Sequence, residues 1–453
     1  MKITFDCPDK INGLLTMTVE PADYQEKVEK TLKNYRKKAQ VPGFRPGMVP
    51  MGMIKKQYGT AVKVDEVNKL MGEKLYEYIH ENKIQMLGEP LPNQEKQVPQ
   101  DFEKDGELTF VFDIAVAPEF KAELSAKDKI NYYAIKADEK LIDDQVQMYA
   151  SQAGEFVKAE VFSGNDTITG DMRELDDKGN TKEGGITIEG AMVMPAYIKA
   201  DDQKKLFDGA KPGDIITFNP KKAYPDNDAE VAALLKVQKD DVKDLASDFS
   251  YQITEIRHFE PAAVDQKLFD RVFGEGTVKD EKAFREKIAE TVAPQLQQNS
   301  DYKFLLDVRA YLEKKVGDLQ FPEALLKRVM LQNNQDKGAD YVEKNFEGSI
   351  KELKWHLIKE QIVAANDIKV EDDDLKAVAK ETIRAQFAQY GMSNVPDDVL
   401  ENYAAEQLKK RENIENFVDR AIDMKLTETL KNVVKLTQKE VTLADFNKLM
   451  QEK

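Results

Sequence analysis

The residues best placed to do chemistry in this 453-residue chain are cations gathered in one short stretch. Positions 30–59 hold eight Lys and Arg residues and no Asp or Glu, whereas the whole chain has 67 Lys and Arg, 83 Asp and Glu and a net charge of −16. Guanidinium and ammonium groups bind phosphate, and an aromatic ring beside them can stack on a base or enter a hydrophobic notch. The stretch therefore predicts a binding surface for an anionic partner.

The centre of this stretch has the composition of a rigid loop between two helices. We call it the basic loop; it runs Gly43-Phe44-Arg45-Pro46-Gly47-Met48-Val49-Pro50. Because glycine permits turn geometry and proline restricts φ, such a loop can hold Phe44 and Arg45 outward with little ordering cost on binding. The plainer alternative is that Phe44 packs beneath its own loop and the cations only solvate a helix face.

The other reactive side chains give no sign of a metal, cofactor or nucleophile site. Cys7 is the single cysteine, which excludes an intramolecular disulfide and leaves a thiol with no assignable histidine partner. The three histidines lack metal-ligand spacing, and the acidic run 371–374 suits a helix N-terminus better than a calcium loop. Since the Gly-x-x-x-x-Gly-Lys-Ser/Thr pattern is also missing, we expect no metal, no cofactor and no ATP site.

The elements that position the basic loop form a small α+β unit over residues 1–117. Alternating apolar residues predict two strands within the first 20 residues, with a hairpin turn at Asn12-Gly13. One helix precedes the loop, and a second helical region over about 49–84, broken near Gly59, follows it. This unit would place the loop at a connection between helices.

The pattern of residue types changes twice over the remainder of the chain. Residues 151–258 alternate short β-like runs with Gly, Asp and Asn clusters, and a helical insertion is expected near 229–245. Residues 259–453 show helical periodicity nearly to the end. The fold class is therefore α+β and multidomain, with a β-rich middle domain and an all-α C-terminal body.

The pattern Gly43-Phe44-Arg45-x-Gly47-x-x-Pro50 resembles the ribosome-docking signature of trigger factor, a family of bacterial chaperones that receive nascent chains. The resemblance extends over nearly the whole chain, including the helix start Phe321-Pro322-Glu323 and the closing segment 437–453. It implies four parts: a ribosome-binding domain at 1–117, a linker and helix at 118–150 that packs with the C-terminal body, an inserted FKBP-like domain at 151–258, and a helical substrate-binding domain with arms at 259–453.

The same resemblance implies that Phe44 and Arg45 dock against a ribosomal protein and rRNA beside the exit tunnel. Many relatives carry a lysine after the arginine, whereas this chain has Pro46, which leaves Arg45, Lys37 and Lys38 to meet phosphate. The expected ribosome-binding residues are Gly43, Phe44, Arg45, Pro46, Gly47, Pro50, Lys37 and Lys38.

The resemblance also implies a prolyl isomerase pocket of the FKBP type in the middle domain, but its residues depart from the family pattern. Methionine stands at Met172 where an aromatic residue is expected, and the usual Phe-Glu/Asp-Gly-Gly run has become Lys182-Glu183-Gly184-Gly185. Because this catalysis depends on an aromatic pocket that desolvates the proline amide, we expect weak or no activity. The degenerate pocket candidates are Met172, Glu183, Tyr224 and Phe249, and none is assigned as catalytic.

Together these features predict an ATP-independent chaperone that docks on the large ribosomal subunit near the tunnel exit and shields nascent or unfolded polypeptides, assisting folding and export. The alternatives are an active peptidyl-prolyl cis-trans isomerase, a periplasmic chaperone with a parvulin-type insert, and a dedicated rRNA-binding module. The N-terminus lacks the apolar run of a signal peptide, which predicts a cytoplasmic protein. We expect neither membrane nor DNA as a partner, and the family implies possible homodimers.

Overall fold

The computed structural model describes every residue except Gly43, Pro46, Gly391, Ser393, Asn394, Glu452 and Lys453. The chain divides into two compact units, each made of separate segments. The first unit contains Met1–Tyr132 and Asp301–Gln438, and the second contains Tyr133–Ser300 and the segment that begins at Lys439.

The N-terminal part is a four-stranded antiparallel sheet with two helices packed on one face. Its elements are β1 (Lys2–Asp6), β2 (Asn12–Val19), α1 (Pro21–Lys38), α2 (Met51–Glu81), β3 (Leu91–Pro92) and β4 (Leu108–Ala115), with the strands in the order β1-β2-β4-β3. Alternation along β2 directs Leu15, Met17 and Val19 into the core, where they meet Val67 and Leu70 of α2. The predicted α+β unit is confirmed.

Two local predictions in this part are wrong. Asn12 and Gly13 belong to β2, and the turn before them is held by Asp9, whose carboxylate accepts hydrogen bonds from Asn12 N at 2.7 Å and Asn12 Nδ2 at 2.7 Å. Helix α2 passes through Gly59 without a break. A single glycine costs a helix only about 1 kcal/mol, which burial of α2 against the sheet outweighs.

The middle domain is built around an antiparallel sheet. One strand and one helix of the linker precede it in the chain. Its elements, after β5 (Lys129–Ile135) and α3 (Glu139–Gln152), are β6 (Glu155–Ala159), β7 (Thr167–Glu174), β8 (Thr187–Val193), α4 (Asp201–Lys204), β9 (Ile215–Phe218), α5 (Pro220–Ala223), α6 (Asp228–Leu235) and β10 (Phe249–Glu260). The strand order is β6-β10-β7-β8, and β9 also pairs with β10. Phe207, Phe218 and Tyr251 fill its centre with ring centroids 5.5–6.3 Å apart.

The predicted helical insertion is confirmed as α6 followed by a short 3-10 turn at Lys239–Val242. Its apolar side belongs to the domain core, since Val231, Leu235 and Val242 are fully buried there. The insertion is therefore part of the middle domain's own packing.

The rest of the chain is helical apart from one strand within the part that the structure describes. Its elements are α7 (Gln266–Phe273), α8 (Glu281–Val316), α9 (Glu323–Asn333), α10 (Gly338–Ala365), α11 (Asp372–Gln389), α12 (Asp397–Leu408), α13 (Arg411–Val433), β11 (Lys435–Val441) and α14 (Leu443–Gln451), with β11 paired to β5. Helix α9 starts directly after Phe321-Pro322, as its Pro-Glu sequence predicts. The described residues contain no helix with the length and apolarity needed to cross a membrane.

Two further cores lie in the first unit. Leu325, Val329 and Phe346 from α9 and α10 pack with Leu91 and Ala115 of the N-terminal sheet. The ion pair between Arg328 Nη1 and Asp113 Oδ2, at 2.6 Å, lies beside this core. Helices α11, α12 and α13 form the other core, and α11 begins with a capping box between Glu371 and Asp374, which confirms that the acidic run caps a helix.

Candidate functional site

A small apolar core between α1 and α2 supports the basic loop. Leu32, Val49, Ile54 and Val62 are at most 2% exposed and pack together. Arg36 at the end of α1 donates a hydrogen bond from Nε to the Val49 carbonyl oxygen at 2.9 Å. These contacts fasten the Val49 end of the loop to the two helices that flank it.

The described residues at the outer side of the loop are exposed. Phe44 is 39% exposed, Met48 is 68% exposed and Arg45 also faces solvent. The Phe44 amide donates to the Val41 carbonyl at 3.1 Å, and the Met48 amide donates to the Arg45 carbonyl at 2.9 Å. The backbone thus forms two successive turns that direct an aromatic ring and a guanidinium to the surface.

The cations around the loop have few partners. Lys55 forms an ion pair with Glu29 at 3.7 Å, and Arg36 uses its guanidinium on the backbone. Within the described chain, the other six cations of the stretch are exposed and form no ion pair: Lys30, Lys33, Lys37, Lys38, Arg45 and Lys56. An array of exposed, uncompensated cations attracts anions, and its counterions are released when phosphate replaces them.

Of the predicted docking residues that the structure describes, Phe44, Arg45, Gly47 and Pro50 lie on the connection between α1 and α2. Gly43 and Pro46 lie outside the described residues. Gly47 has a φ of +82°, in the left-handed region that favours glycine, and Pro50 precedes the first residue of α2. Lys37 and Lys38 end α1 beside the loop.

A second candidate site is a cavity of about 240 Å³ in the middle domain. It lies between the end of β8, the residues that follow β8, and α6. Its lining residues are Met192, Met194, Tyr197, Tyr224, Glu230, Ala233 and Leu234. Met192 and Tyr197 are 63% and 70% exposed, so an apolar rim faces solvent at its mouth.

Tyr224 supplies a polar group to this cavity. The residue is only 6% exposed, and its hydroxyl forms no hydrogen bond within the described chain. Since no fully buried side-chain nitrogen or oxygen among the described residues lacks a partner, this hydroxyl is accessible to solvent, and Tyr224 itself lines the cavity. Burial, with a smaller effect from the Glu230 carboxylate, raises the pKa of Tyr224 to about 12, so the hydroxyl stays protonated and can donate.

The four predicted pocket residues do not line one cavity, although Met172, Tyr224 and Phe249 belong to the same apolar core. Tyr224 lines the cavity, but Met172 and Phe249 are fully buried in the domain core and cannot touch a ligand. Glu183 is exposed and lies outside the lining. Met192, Glu230, Ala233 and Leu234 were missed, because nothing in their local pattern shows that α6 faces the end of β8.

In the altered run Lys182-Glu183-Gly184-Gly185, the lysine has a structural role. Glu174 is 4% exposed, and its carboxylate accepts hydrogen bonds from Lys182 Nζ at 2.6 Å, the Ile186 amide at 2.9 Å and Ser247 Oγ at 2.9 Å. These bonds hold the pKa of Glu174 below its usual range against the opposing effect of burial. Lysine at 182 thus neutralises a buried carboxylate, a role that a phenylalanine could not fill.

Comparison with known proteins covers nearly the whole chain. Three family models match: "Bacterial trigger factor protein (TF)" over residues 1–149, "Probable trigger factor, FKBP-like domain" over 156–261 and "Probable trigger factor, C-terminal domain" over 300–450. Similar relatives include the trigger factor of Chlorobaculum tepidum, 23% identical over 96% of this chain and 97% of its own, and that of Delftia acidovorans, 24% identical over 99% of each.

A solved structure from a study of the trigger factor chaperone shares the fold. It matches with a TM-score of 0.50 at 14% sequence identity, and the match covers 95% of this chain and 99% of the solved one. The N-terminal α+β part, the FKBP-like middle domain and the helical C-terminal body thus all have counterparts in one family. The chain belongs to the trigger factor family.

Proposed function

We propose that this chain is a chaperone that docks on the large ribosomal subunit near the tunnel exit and shields nascent or unfolded polypeptides. The observation that carries the proposal is the basic loop, which presents exposed Phe44 and Arg45 on a buried apolar support, among cations that have no acidic partner in the described part of the chain. A surface of rRNA phosphates beside a ribosomal protein offers both an anionic and an apolar partner for these groups. The expected docking residues are Gly43, Phe44, Arg45, Pro46, Gly47, Pro50, Lys37 and Lys38.

The proposal extends to clients and location. The matched solved protein is described as recognising substrates promiscuously in folding and assembly, and we infer the same kind of broad, weak recognition here. Dispersed exposed apolar side chains on the C-terminal helices support this, because they gain from burial without needing a defined partner shape. We further propose a cytoplasmic site of action and self-association away from the ribosome.

Ribosome pelleting with the double variant Phe44→Ala/Arg45→Ala tests the proposal. We expect the native chain to co-sediment and the variant to lose co-sedimentation with an unchanged circular dichroism spectrum, since both side chains are exposed. The control Tyr76→Ala/Lys69→Ala removes one exposed aromatic ring and one exposed cation from α2 and should pellet like the native chain. Equal pelleting of the native chain and the loop variant would refute docking through this loop.

The same assay across salt concentrations measures the phosphate contribution. If about three of the exposed cations meet phosphate, the log–log slope of affinity against salt should be near −2, using roughly −0.7 per contact with single-stranded nucleic acid. Replacing Lys37 and Lys38 with Ala should make this slope shallower. An affinity independent of salt would contradict the assignment of these lysines.

A further inference from the structure

Methionine is concentrated at the basic loop and the start of α2. Met48, Met51 and Met53 are three of the chain's 15 methionines. Met48 is 68% exposed and Met53 is 45% exposed, whereas Met51 is partly buried and packs against the small apolar core that supports the loop. Met48 is the most exposed methionine of the described chain, so its thioether is open to reagents in solution.

Met48 lies among the groups that we expect to dock. Its amide closes a turn on the Arg45 carbonyl, and Phe44 is exposed on the same loop. An apolar side chain at this place gains from burial when the loop meets a partner surface, and a flexible thioether can adapt to the shape of that surface. A change in the polarity of Met48 would therefore act on docking directly.

The single thiol of the chain is less suited to respond to an oxidant. Cys7 is only partly exposed, and burial, with a smaller effect from the Asp9 carboxylate, raises the pKa of Cys7. Because the thiolate is the form that reacts with peroxide, a raised pKa keeps this side chain mostly unreactive at neutral pH. A thioether has no proton to lose, so exposure controls its oxidation.

We propose that Met48 is a reversible oxidation site at which peroxide weakens ribosome docking. A lone pair of the sulfur attacks one peroxide oxygen, and the O–O bond breaks as the S–O bond forms. The second oxygen leaves as hydroxide and takes the proton of the attacked oxygen, so the sulfur is oxidised to the sulfoxide and the peroxide is reduced to water.

The sulfoxide is polar and a strong hydrogen-bond acceptor, so the oxidised side chain loses its gain from burial against an apolar surface. A thiol-dependent sulfoxide reductase reverses the change. The proposal rests on the proposed function, in which the basic loop docks on the ribosome, and it adds a regulation of that same loop.

The test uses the full chain carrying Cys7→Ser, so that thiol oxidation does not contribute, before and after treatment with hydrogen peroxide. We expect peptide mass spectrometry to show the sulfoxide at Met48 before Met51. Ribosome affinity, measured by pelleting, should fall about three- to tenfold, because one apolar contact is lost. Methionine sulfoxide reductases A and B with dithiothreitol should restore the affinity.

Two further variants identify the responsible residue, each measured with and without peroxide. Met48→Leu keeps an apolar side chain that peroxide does not oxidise, so its affinity, whatever the starting value, should not change on treatment. Met148→Leu removes an exposed methionine of α3 and should remain as sensitive to peroxide as its parent.

An equal loss of affinity on treatment of Met48→Leu would overturn the proposal. Oxidation of Met51 ahead of Met48, or an unchanged affinity once Met48 is oxidised, would overturn it as well. Failure of the untreated chain to pellet would refute ribosome docking itself, whereas normal pelleting that peroxide leaves unchanged would refute only the oxidation site.

Discussion

Gly47 shows how one residue can control the basic loop. Its φ of +82° is strained for a residue with a side chain, although a Cβ placed there would meet no atom of the described residues within 4 Å. The requirement for glycine is therefore one of backbone conformation and not of space. Gly47 lies within the turn that the Met48 amide closes on the Arg45 carbonyl at 2.9 Å.

We expect Gly47→Ala to weaken ribosome binding, because alanine disfavours the left-handed conformation by about 1–2 kcal/mol. The loss in affinity should be up to about tenfold if the loop relaxes to another turn. Gly52→Ala is the matched control, since Gly52 lies in the first turns of α2 with open space around its Cβ. Pelleting that is unchanged by Gly47→Ala would show that the observed turn is not needed for docking.

Asp128 is a residue on which several segments of the first unit depend. It is 6% exposed, and its Oδ1 accepts hydrogen bonds from Tyr311 Oη at 2.7 Å and Lys315 Nζ at 2.8 Å. Its Oδ2 accepts from the Ser125 amide at 2.8 Å. Although burial opposes ionisation, these donors lower the pKa of Asp128 to about 2.

This pKa gives a stability prediction with a defined sign. The carboxylate is favoured in the folded state, so its contribution of about 2 kcal/mol is complete above pH 4 and is lost as the pH falls through 2. Asp128→Asn should therefore lower the free energy of unfolding at pH 7, and the difference from the native chain should shrink below pH 4. Asp144→Asn, at an exposed position of α3, is the control in urea titrations, and a pH-independent difference would contradict the prediction.

At the scale of elements, α6 contributes both to the core of the middle domain and to the wall of its cavity. Its inner face places Val231 and Leu235 in the core of the middle domain, and its outer face gives Glu230, Ala233 and Leu234 to the cavity. The helix therefore cannot be removed without opening the core that supports the cavity.

We expect Leu235→Ala to destabilise the middle domain by about 2–5 kcal/mol, since it removes a side chain that is 1% exposed and leaves a void. Leu206→Ala, at a position 43% exposed, should have a much smaller effect. Thermal unfolding followed by circular dichroism measures both variants. Similar melting curves for the two would mean that α6 is not part of the cooperative core.

At the scale of the whole molecule, exposed apolar side chains occur both at the basic loop and in the helical C-terminal part, whereas the cations without an acidic partner described above surround the loop. A chain of net charge −16 carries around one loop six cations that form no ion pair with any described residue, which favours a single mode of approach to an anionic surface. Exposed apolar side chains occur in the helical C-terminal part, at Leu331, Tyr403 and Met424 on helices and at Tyr390 and Met392 after the end of α11. Such dispersed groups can hold unfolded clients through weak contacts that reverse without an energy source.

The isolated protein should therefore suppress aggregation of a chemically denatured client at stoichiometric concentration, and added ATP should change nothing. Light scattering after dilution of the client measures this directly. Phe44→Ala/Arg45→Ala should retain the suppression, because the docking loop is separate from the exposed apolar groups of the helices. No suppression at stoichiometric excess of the protein would count against the client-holding role.

Periodicity and composition were sufficient for the α+β start, the β-rich middle domain and the helical body, because these patterns reflect which face of each element is buried. Periodicity and composition gave wrong predictions where the local preference of one or two residues competed with packing against other elements. The Asn12-Gly13 pair suggested a turn but lies within β2, and Gly59 suggested a break but lies inside α2. In both places, contacts with other elements outweighed the local preference.

The sequence by itself determined the density of cations around Phe44, the single cysteine and the order of the parts, since each is a property of residues in chain order. Only the tertiary structure decided that Phe44 and Arg45 face outward, that Lys182 neutralises Glu174, and that Met192, Tyr224 and Glu230 border one cavity. Exposure and cavities depend on contacts between residues far apart along the chain, and these contacts exist only after the elements have packed.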